Sequence, residues 1–275
     1  MNTKLISAAA LTATTLALPL SGHAGVVAQD NASNSAYSGG YASGQNGGTG
    51  FTPFAVTATN AAGTFVYTAS ESEGNSGTPA PGSIDTPNSV AGSSPLSFGL
   101  YAQGGGKNPT GTSVTISRGF AAPLITGGSF SLDFVKGYND GGTAGVQLST
   151  AADTTGTLLY NGGNGVLSFN GTDTTNGFKS GADHLIYTLT SPTTYTFTLS
   201  GADSYSGSGT STGPITGFQI KQTDSGSTAT DHNAYFNNLL VTAPAVPEAS
   251  SSIGLGLMLA LGGLVLVAKK RSAKA

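Results

Sequence analysis

The chain has 275 residues, of which 8% are charged, 42 are glycine and 12 are proline, with a formal net charge of −3 and no cysteine. An ordinary soluble domain carries about 25% charged residues, and a helical bundle needs Ala, Glu, Lys and Leu in quantity, so a helical bundle or coiled coil is excluded. The missing cysteine excludes a disulfide framework, a thiolate metal site and a Cys nucleophile. Charge is also segregated. Lys4 lies near the start and Lys269, Lys270, Arg271 and Lys274 crowd the end. Lys107, Arg118, Lys136, Lys179 and Lys221 are left to an acidic body, which argues against a nucleic-acid partner.

Residues 1–24 have the order of a signal peptide: Lys4, an apolar run over 5–20, the breakers Pro19 and Gly22, and small residues Gly22 and Ala24 at a signal peptidase site. Residues 25–50 follow as a low-complexity arm or edge strand, rich in Asn, Ser and Gly. Such a stretch buries too little apolar surface to order itself, although Tyr37 and Tyr41 give it something to dock.

From residue 51 to 243, short alternating runs rich in Thr, Val, Tyr and Phe recur between Gly, Asn, Asp and Pro clusters. They cover 64–68, 113–117, 130–135, 145–149, 157–160, 166–169, 184–190, 194–199, 215–222 and 234–242. In 194–199, Tyr195, Phe197 and Leu199 fall on one side and Thr194, Thr196 and Thr198 on the other. Period-two patterning of this kind marks strands with one wet face. About ten strands predict an all-β, two-sheet sandwich of jelly-roll form. Gly74 begins a Gly/Pro/Ser-rich stretch, 74–94, that reads as a mobile loop.

Residues 244–252 form a linker, 253–268 an apolar run, and 269–275 a basic tail. The run is about 24 Å long as a helix, against a hydrocarbon core of about 30 Å, so it spans with help from flanking Ser and snorkelling Lys. Positive residues stay cytoplasmic, which puts the body outside. A linker with Val246, Pro247 and Glu248, then a single transmembrane helix, then a basic end, resembles the PEP-CTERM sorting signal of Gram-negative bacteria. Ala249 stands where that signal has a second proline. The resemblance implies an exosortase partner that recognises the motif, removes the helix and releases the protein. A chain transiently anchored in the inner membrane would then reach the cell surface or extracellular polysaccharide.

Within the body, Ser97-Phe98-Gly99-Leu100-Tyr101-Ala102, Arg118-Gly119-Phe120, Phe130-Ser131-Leu132-Asp133-Phe134 and Tyr235-Phe236-Asn237-Asn238-Leu239 resemble a β-sandwich family of secreted bacterial proteins with this tail. That resemblance implies a concanavalin-like jelly roll and carries no established chemistry.

Candidate chemistry is thin. Gly209-Thr210-Ser211-Thr212-Gly213 matches a hydrolase elbow, with Asp224, Asp231 and His232 following, but Pro214 and a strand come next where the elbow needs a helix. Glycoside cleavage needs paired carboxylates, and Glu71, Glu73 and Asp133 offer no spacing for one. A structural Ca²⁺ could draw oxygen ligands from Asn139-Asp140-Gly141, from Asp173 with Asn176-Gly177, or from Asp231 with Asn233, residues that equally form turns. His184 and His232 are too few for a histidine zinc site. Tyr138, Tyr160 and Tyr205 beside Gly/Asn turns could present rings to a sugar. The sequence thus predicts an exported, non-catalytic structural protein of the surface or biofilm matrix. The alternative is a lectin-like carbohydrate-binding module.

Overall fold

The computed structural model describes residues 24–60, 62–68, 96–103, 111–139, 141–177, 182–226 and 232–245. The segment before Ala24, the 74–94 stretch, Val246, Pro247, Glu248, the 253–268 run and the basic tail lie outside the described residues. So do Glu71, Glu73, Asp140, Asp231 and the side chain of Asn176. Among the described residues no helix is long and apolar enough to cross a membrane.

Fifteen strands are present among the described residues. In chain order they are β1 (Val26–Asp30), β2 (Ala55–Thr59), β3 (Gly63–Thr68), β4 (Leu96–Tyr101), β5 (Ser113–Gly119), β6 (Ser129–Val135), β7 (Thr143–Ser149) and β8 (Thr154–Asn161). They continue as β9 (Val166–Phe169), β10 (Thr172–Gly177), β11 (Asp183–Ser191), β12 (Thr194–Gly201), β13 (Tyr205–Thr210), β14 (Gly217–Thr223) and β15 (Ala234–Thr242). One sheet runs β13-β12-β11-β6-β15-β4-β3 with β1 also against β15, and the other runs β10-β9-β8-β7-β14-β5-β2. The fold is an all-β two-sheet sandwich.

Alternation builds its interior. Leu185, Tyr187 and Leu189 of β11 and Tyr195, Phe197 and Leu199 of β12 are buried from one sheet. Val114 and Ile116 of β5 and Phe218 and Ile220 of β14 meet them from the other. Phe130 stacks on Phe218 with centroids 4.7 Å apart, and Phe169 on Phe197 at 5.0 Å. Burying each such ring contributes about 1.5–3 kcal/mol.

The arm is where the structure adds most. Strand β1 pairs with the second half of β15, from Val26↔Thr242 to Asp30↔Leu239. A 3-10 turn, Ser35–Tyr37, then carries Tyr37 inward. Tyr37 and Tyr41 are both buried, each within 6 Å of Phe54 and Phe98 by ring centroid. Arg118 ties this segment to the second sheet. Its Nη1 lies 2.5 Å from Asp30 Oδ2, its Nε donates to the Thr52 carbonyl at 3.0 Å, and its Nη2 donates to Asn46. The guanidinium carbon sits 4.1 Å from the centre of the Phe54 ring and 4.7 Å from that of Phe51. The Tyr37 hydroxyl donates to the same Asp30 oxygen. Burial and that bond push the Tyr37 phenol up to about 12.

Strand β15 is flanked by β6 on one side, and by β4 and then β1 on the other. At the junction the fully buried Asn237 accepts from the Ala32 N–H and donates to the Leu96 carbonyl, at 2.9 and 2.8 Å. The register shifts here and Asn238 takes a left-handed φ of 53°.

Candidate functional site

The outer face of the seven-stranded sheet is read directly from its register. Ala55, Ser117, Gln219 and Gln147 lie in one row, and Thr57, Thr115, Lys221 and Gly145 in the next. Thr59, Ser113, Thr223, Thr143 and Asn161 form a third row, and Gly119, Gly217 and Ser149 a fourth. Across β2, β5, β14, β7 and β8, Lys221 is the one charged side chain turned outward, because Arg118 points into the core. The row members bond to one another. Gln147 donates to Gln219 at 2.7 Å, Thr143 and Thr223 share a hydroxyl contact of 2.9 Å, and Thr59 and Ser113 share one of 3.0 Å.

A cleft of about 230 Å³ opens at the Gly119 end of this face, lined by Thr52, Pro53, Gly119, Ser149, Gly217 and Gln219 among others. The buried Ser149 hydroxyl there pairs with no described residue. Ordinary small-molecule pockets measure about 300–1,000 Å³, so this cleft is a shallow one. It forms one end of an open, neutral surface of donors and acceptors, which suits an extended hydroxyl-rich polymer.

The other sheet carries a smaller polar group on its outer face. Asp133 of β6 stands opposite His184 of β11 and Asn237 of β15. Its Oδ1 lies 2.6 Å from His184 Nδ1, and its Oδ2 accepts from Asn238 Nδ2 at 2.6 Å. The left-handed turn at Asn238 aims that amide. His184 is held above its ordinary pKa chiefly by the Asp133 hydrogen bond, against the opposing effect of burial. Both carboxylate oxygens are therefore committed, to an imidazole and an amide.

The remaining sequence candidates separate. Ser211 donates to the Gly213 carbonyl at 2.7 Å in the turn before β14, while Asp224 bonds Thr112 beyond the far end of the same strand. A seven-residue strand of about 20 Å thus keeps them apart. Gly209 has a packing reason: its Cβ would run into the Tyr195 hydroxyl. The elbow is a coincidence of composition. His184 and His232 serve different places, the first half-exposed on the outer face and the second buried with the Tyr138 ring edge-on at 5.2 Å. Among the described residues no three His, Asp or Glu converge to hold a metal ion. Asp173 accepts from Asn164 at 3.1 Å, a contact that closes the β9–β10 neighbourhood. Of the three tyrosines proposed to face a sugar, Tyr160 is fully buried, Tyr205 is half-buried and Tyr138 is exposed. Tyr160 is corrected to a core residue. The hydroxyl-amide face escaped sequence reading because each row joins residues from three to five strands, and only the register brings them together.

The geometry defines an all-β two-sheet sandwich whose seven-stranded sheet presents hydroxyl and amide rows with Lys221 as their one outward charge. No protein-family model matches the chain, and no curated protein does. Among solved structures it is similar to the legume lectin-like domain from Entamoeba histolytica, at 11% identity over 53% of this chain and 84% of that one, with a TM-score of 0.33. It is also similar to the exoplasmic/lumenal domain of VIP36 in its Ca²⁺/Man3GlcNAc-bound form, at 9% identity over 57% and 82%, with a TM-score of 0.35. A third is the carbohydrate esterase vb_24B_21 from Shiga toxin-encoding bacteriophage phi24B, at 12% identity over 70% and 90%, with a TM-score of 0.38. Likeness at this level says nothing of ligand or activity.

Proposed function

We propose that the chain is an exported, non-catalytic β-sandwich of the cell surface or extracellular polysaccharide matrix of a Gram-negative bacterium. In this reading an exosortase recognises Val246, Pro247 and Glu248, the 253–268 helix holds the precursor in the membrane, and the outer face of the seven-stranded sheet lies against polysaccharide. The observation that supports it is the neutral row structure of that face, with Gln147 and Gln219 at its centre. Hydroxyl and amide groups exchange readily between water, one another and sugar hydroxyls, which favours many weak contacts along a polymer. The second reading is a carbohydrate-binding module with a defined oligosaccharide site. The cleft beside Ser149 is the feature that favours it.

The test is retention of the purified protein on matrix polysaccharide from the producing cells. Retention should persist at high salt, since screening touches charge and not neutral hydrogen bonds. It should fall several-fold in the Gln147→Ala/Gln219→Ala double variant, and retention unchanged by that variant would remove the proposed face. Saturable binding of one short oligosaccharide would favour the module. For sorting, terminal-peptide mass spectrometry should find a mature chain starting near Gly25 and ending near Glu248. A membrane form that keeps residues 253–275 would sink the exosortase reading.

A further inference from the structure

Lys136 follows the last residue of β6 and turns into the protein, where it is 4% exposed. Its position is fixed from behind. Gly137 adopts a φ of 67° and lies against the Asn233 carbonyl so closely that no side chain fits. The Lys136 Nζ stands 3.9 Å from Oδ2 of Asp203 and 5.1 Å from the centre of the Tyr160 ring. Asp203 lies in the turn between β12 and β13 and is 3% exposed. Asp183, the first residue of β11, is 2% exposed and holds the group together. It accepts from the Asp203 N–H at 2.7 Å and from the Tyr160 O–H at 2.7 Å. Burial lowers the Lys136 ammonium against the pull of Asp203 and Asp183, and burial raises the Asp183 carboxyl.

An amine, a carboxyl and a second carboxyl, enclosed beside an aromatic ring, are the complete set of reactants for a condensation. We propose that the folded chain joins Lys136 Nζ to Cγ of Asp203 in an intramolecular amide, with Asp183 holding Asp203 in place and relaying the proton. Strand β11 lies between β6 and β12 in the sheet, so the new bond passes over its first residue and ties three strands together.

The step needs no outside reagent. One proton moves from the ammonium to the Asp203 carboxylate, which leaves the net charge of the cluster unchanged. The amine lone pair attacks Cγ, forming the C–N bond and moving the C=O pair onto oxygen. The adduct collapses by breaking its C–OH bond. The hydroxyl departs as water with the proton that Asp183 takes from nitrogen. One amide and one water result. A neutral amide replaces a buried ion pair, which removes the desolvation cost of two charges. The fold brings Nζ to 3.9 Å from the Asp203 carboxyl, so a small side-chain movement reaches the separation of about 3–3.5 Å at which effective molarities rise to about 10⁵–10⁸ M, and the exclusion of solvent disfavours the reverse hydrolysis.

The experiment is tryptic digestion of the full-length protein after complete denaturation, read by tandem mass spectrometry. Trypsin cuts after Arg118, Lys179 and Lys221, and after Lys136 only if its amine is free. The expected product is peptide 119–179 joined to peptide 180–221 and lighter than their sum by one water. Separate peptides 119–136 and 137–179, with Asp203 unmodified, would overturn the proposal. Lys136→Arg keeps the cation but should give only separate peptides, as should Asp203→Ala. Asp203→Asn should give the same joined species as the wild type, with ammonia as the leaving group. Asp183→Asn should leave Lys136 cleavable, and Asp183→Glu should restore the joined product. A joined product in Asp183→Asn would overturn the role given to Asp183.

Discussion

Two buried cations sit toward opposite ends of the sandwich interior and are treated in opposite ways. Arg118 bonds through all three guanidinium nitrogens, to Asp30, Thr52 and Asn46, and lies between two aromatic rings. Lys136 meets its carboxylate at 3.9 Å, beyond hydrogen-bond range, with a second carboxyl anchored beside the first. A planar fork with five donors suits the first setting, and a flexible point charge with a movable pKa suits the second. The contrast shows that burial alone does not assign a role to a charge. The bonds around it decide whether it locks the fold or remains able to react.

The sharpest way to break the comparison is at the locked end. Arg118→Ala leaves Asp30 buried without its partner, and a buried pair broken on one side costs about 3–5 kcal/mol. The urea midpoint should fall accordingly, and the arm around Tyr37 should become protease-sensitive. A midpoint within error of the wild type would show that Asp30 finds another partner. At the other end, Lys136→Met removes both the cation and the proposed amide. A covalent closure of a long loop contributes about 2–4 kcal/mol, and Asp203 is left buried without its cation, so the loss should be comparable to that for Arg118→Ala. A Lys136→Met protein as stable as the wild type would mean that this end contributes nothing.

Asn237→Ala extends the test to the neutral part of the locked end. It strands the Ala32 N–H and the Leu96 carbonyl, and unpaired buried polar groups cost about 1–3 kcal/mol. Hydrogen exchange should quicken at Ala32 before it changes in β11 or β12. The smallest effect belongs to the outer surface. His184 has its folded pKa raised by Asp133, so the stabilisation is fully present below about pH 6.5 and is lost as pH rises through the folded value. The site is half open to water, which limits the change to under about 1 kcal/mol. Unfolding midpoints measured through this window should decline in the wild type and stay flat in Asp133→Asn.

Most interior strands were legible because their side chains alternate against a single core. The runs 194–199 and 184–190 state their inner and outer faces without ambiguity, and β12 and β11 extend them by only a residue or two. Strands β2, β4, β10 and β13 were not read as alternating runs; β2, β10 and β13 are edge strands, while β4, between β15 and β3, is buried along its middle on both faces and so does not alternate. An edge strand such as Tyr205–Thr210 takes its order from the ladder of its neighbour, here β12, and needs no apolar period of its own. Strand β1 lies within the segment read as an arm or edge strand, but its partner β15 could not be named because it lies at the far end of the sequence. In the arm, Tyr37 and Tyr41 were legible as residues able to dock, and both are buried; the Arg118 contacts to Asp30 and Asn46 were not, because they join positions far apart in sequence. Of the candidate surfaces, Asp133 and His184 were named separately, but their contact depends on a register that no local pattern encodes.

The place of β15 has a kinetic meaning. Residues 234–242, last among the strands, lie in the interior of their sheet with β6 on one side and β4 and β1 on the other. The first strand waits for the last, because Val26 has no ladder until Thr242 arrives. Contacts of such sequence separation slow closure, since the loop entropy is lost before the pairing compensates for it. A nascent chain short of β15 holds two unsatisfied strand edges in place of a sheet centre. Folding is therefore deferred until nearly the whole body has been released, and a chain stopped before Ala234 should populate no partial sandwich.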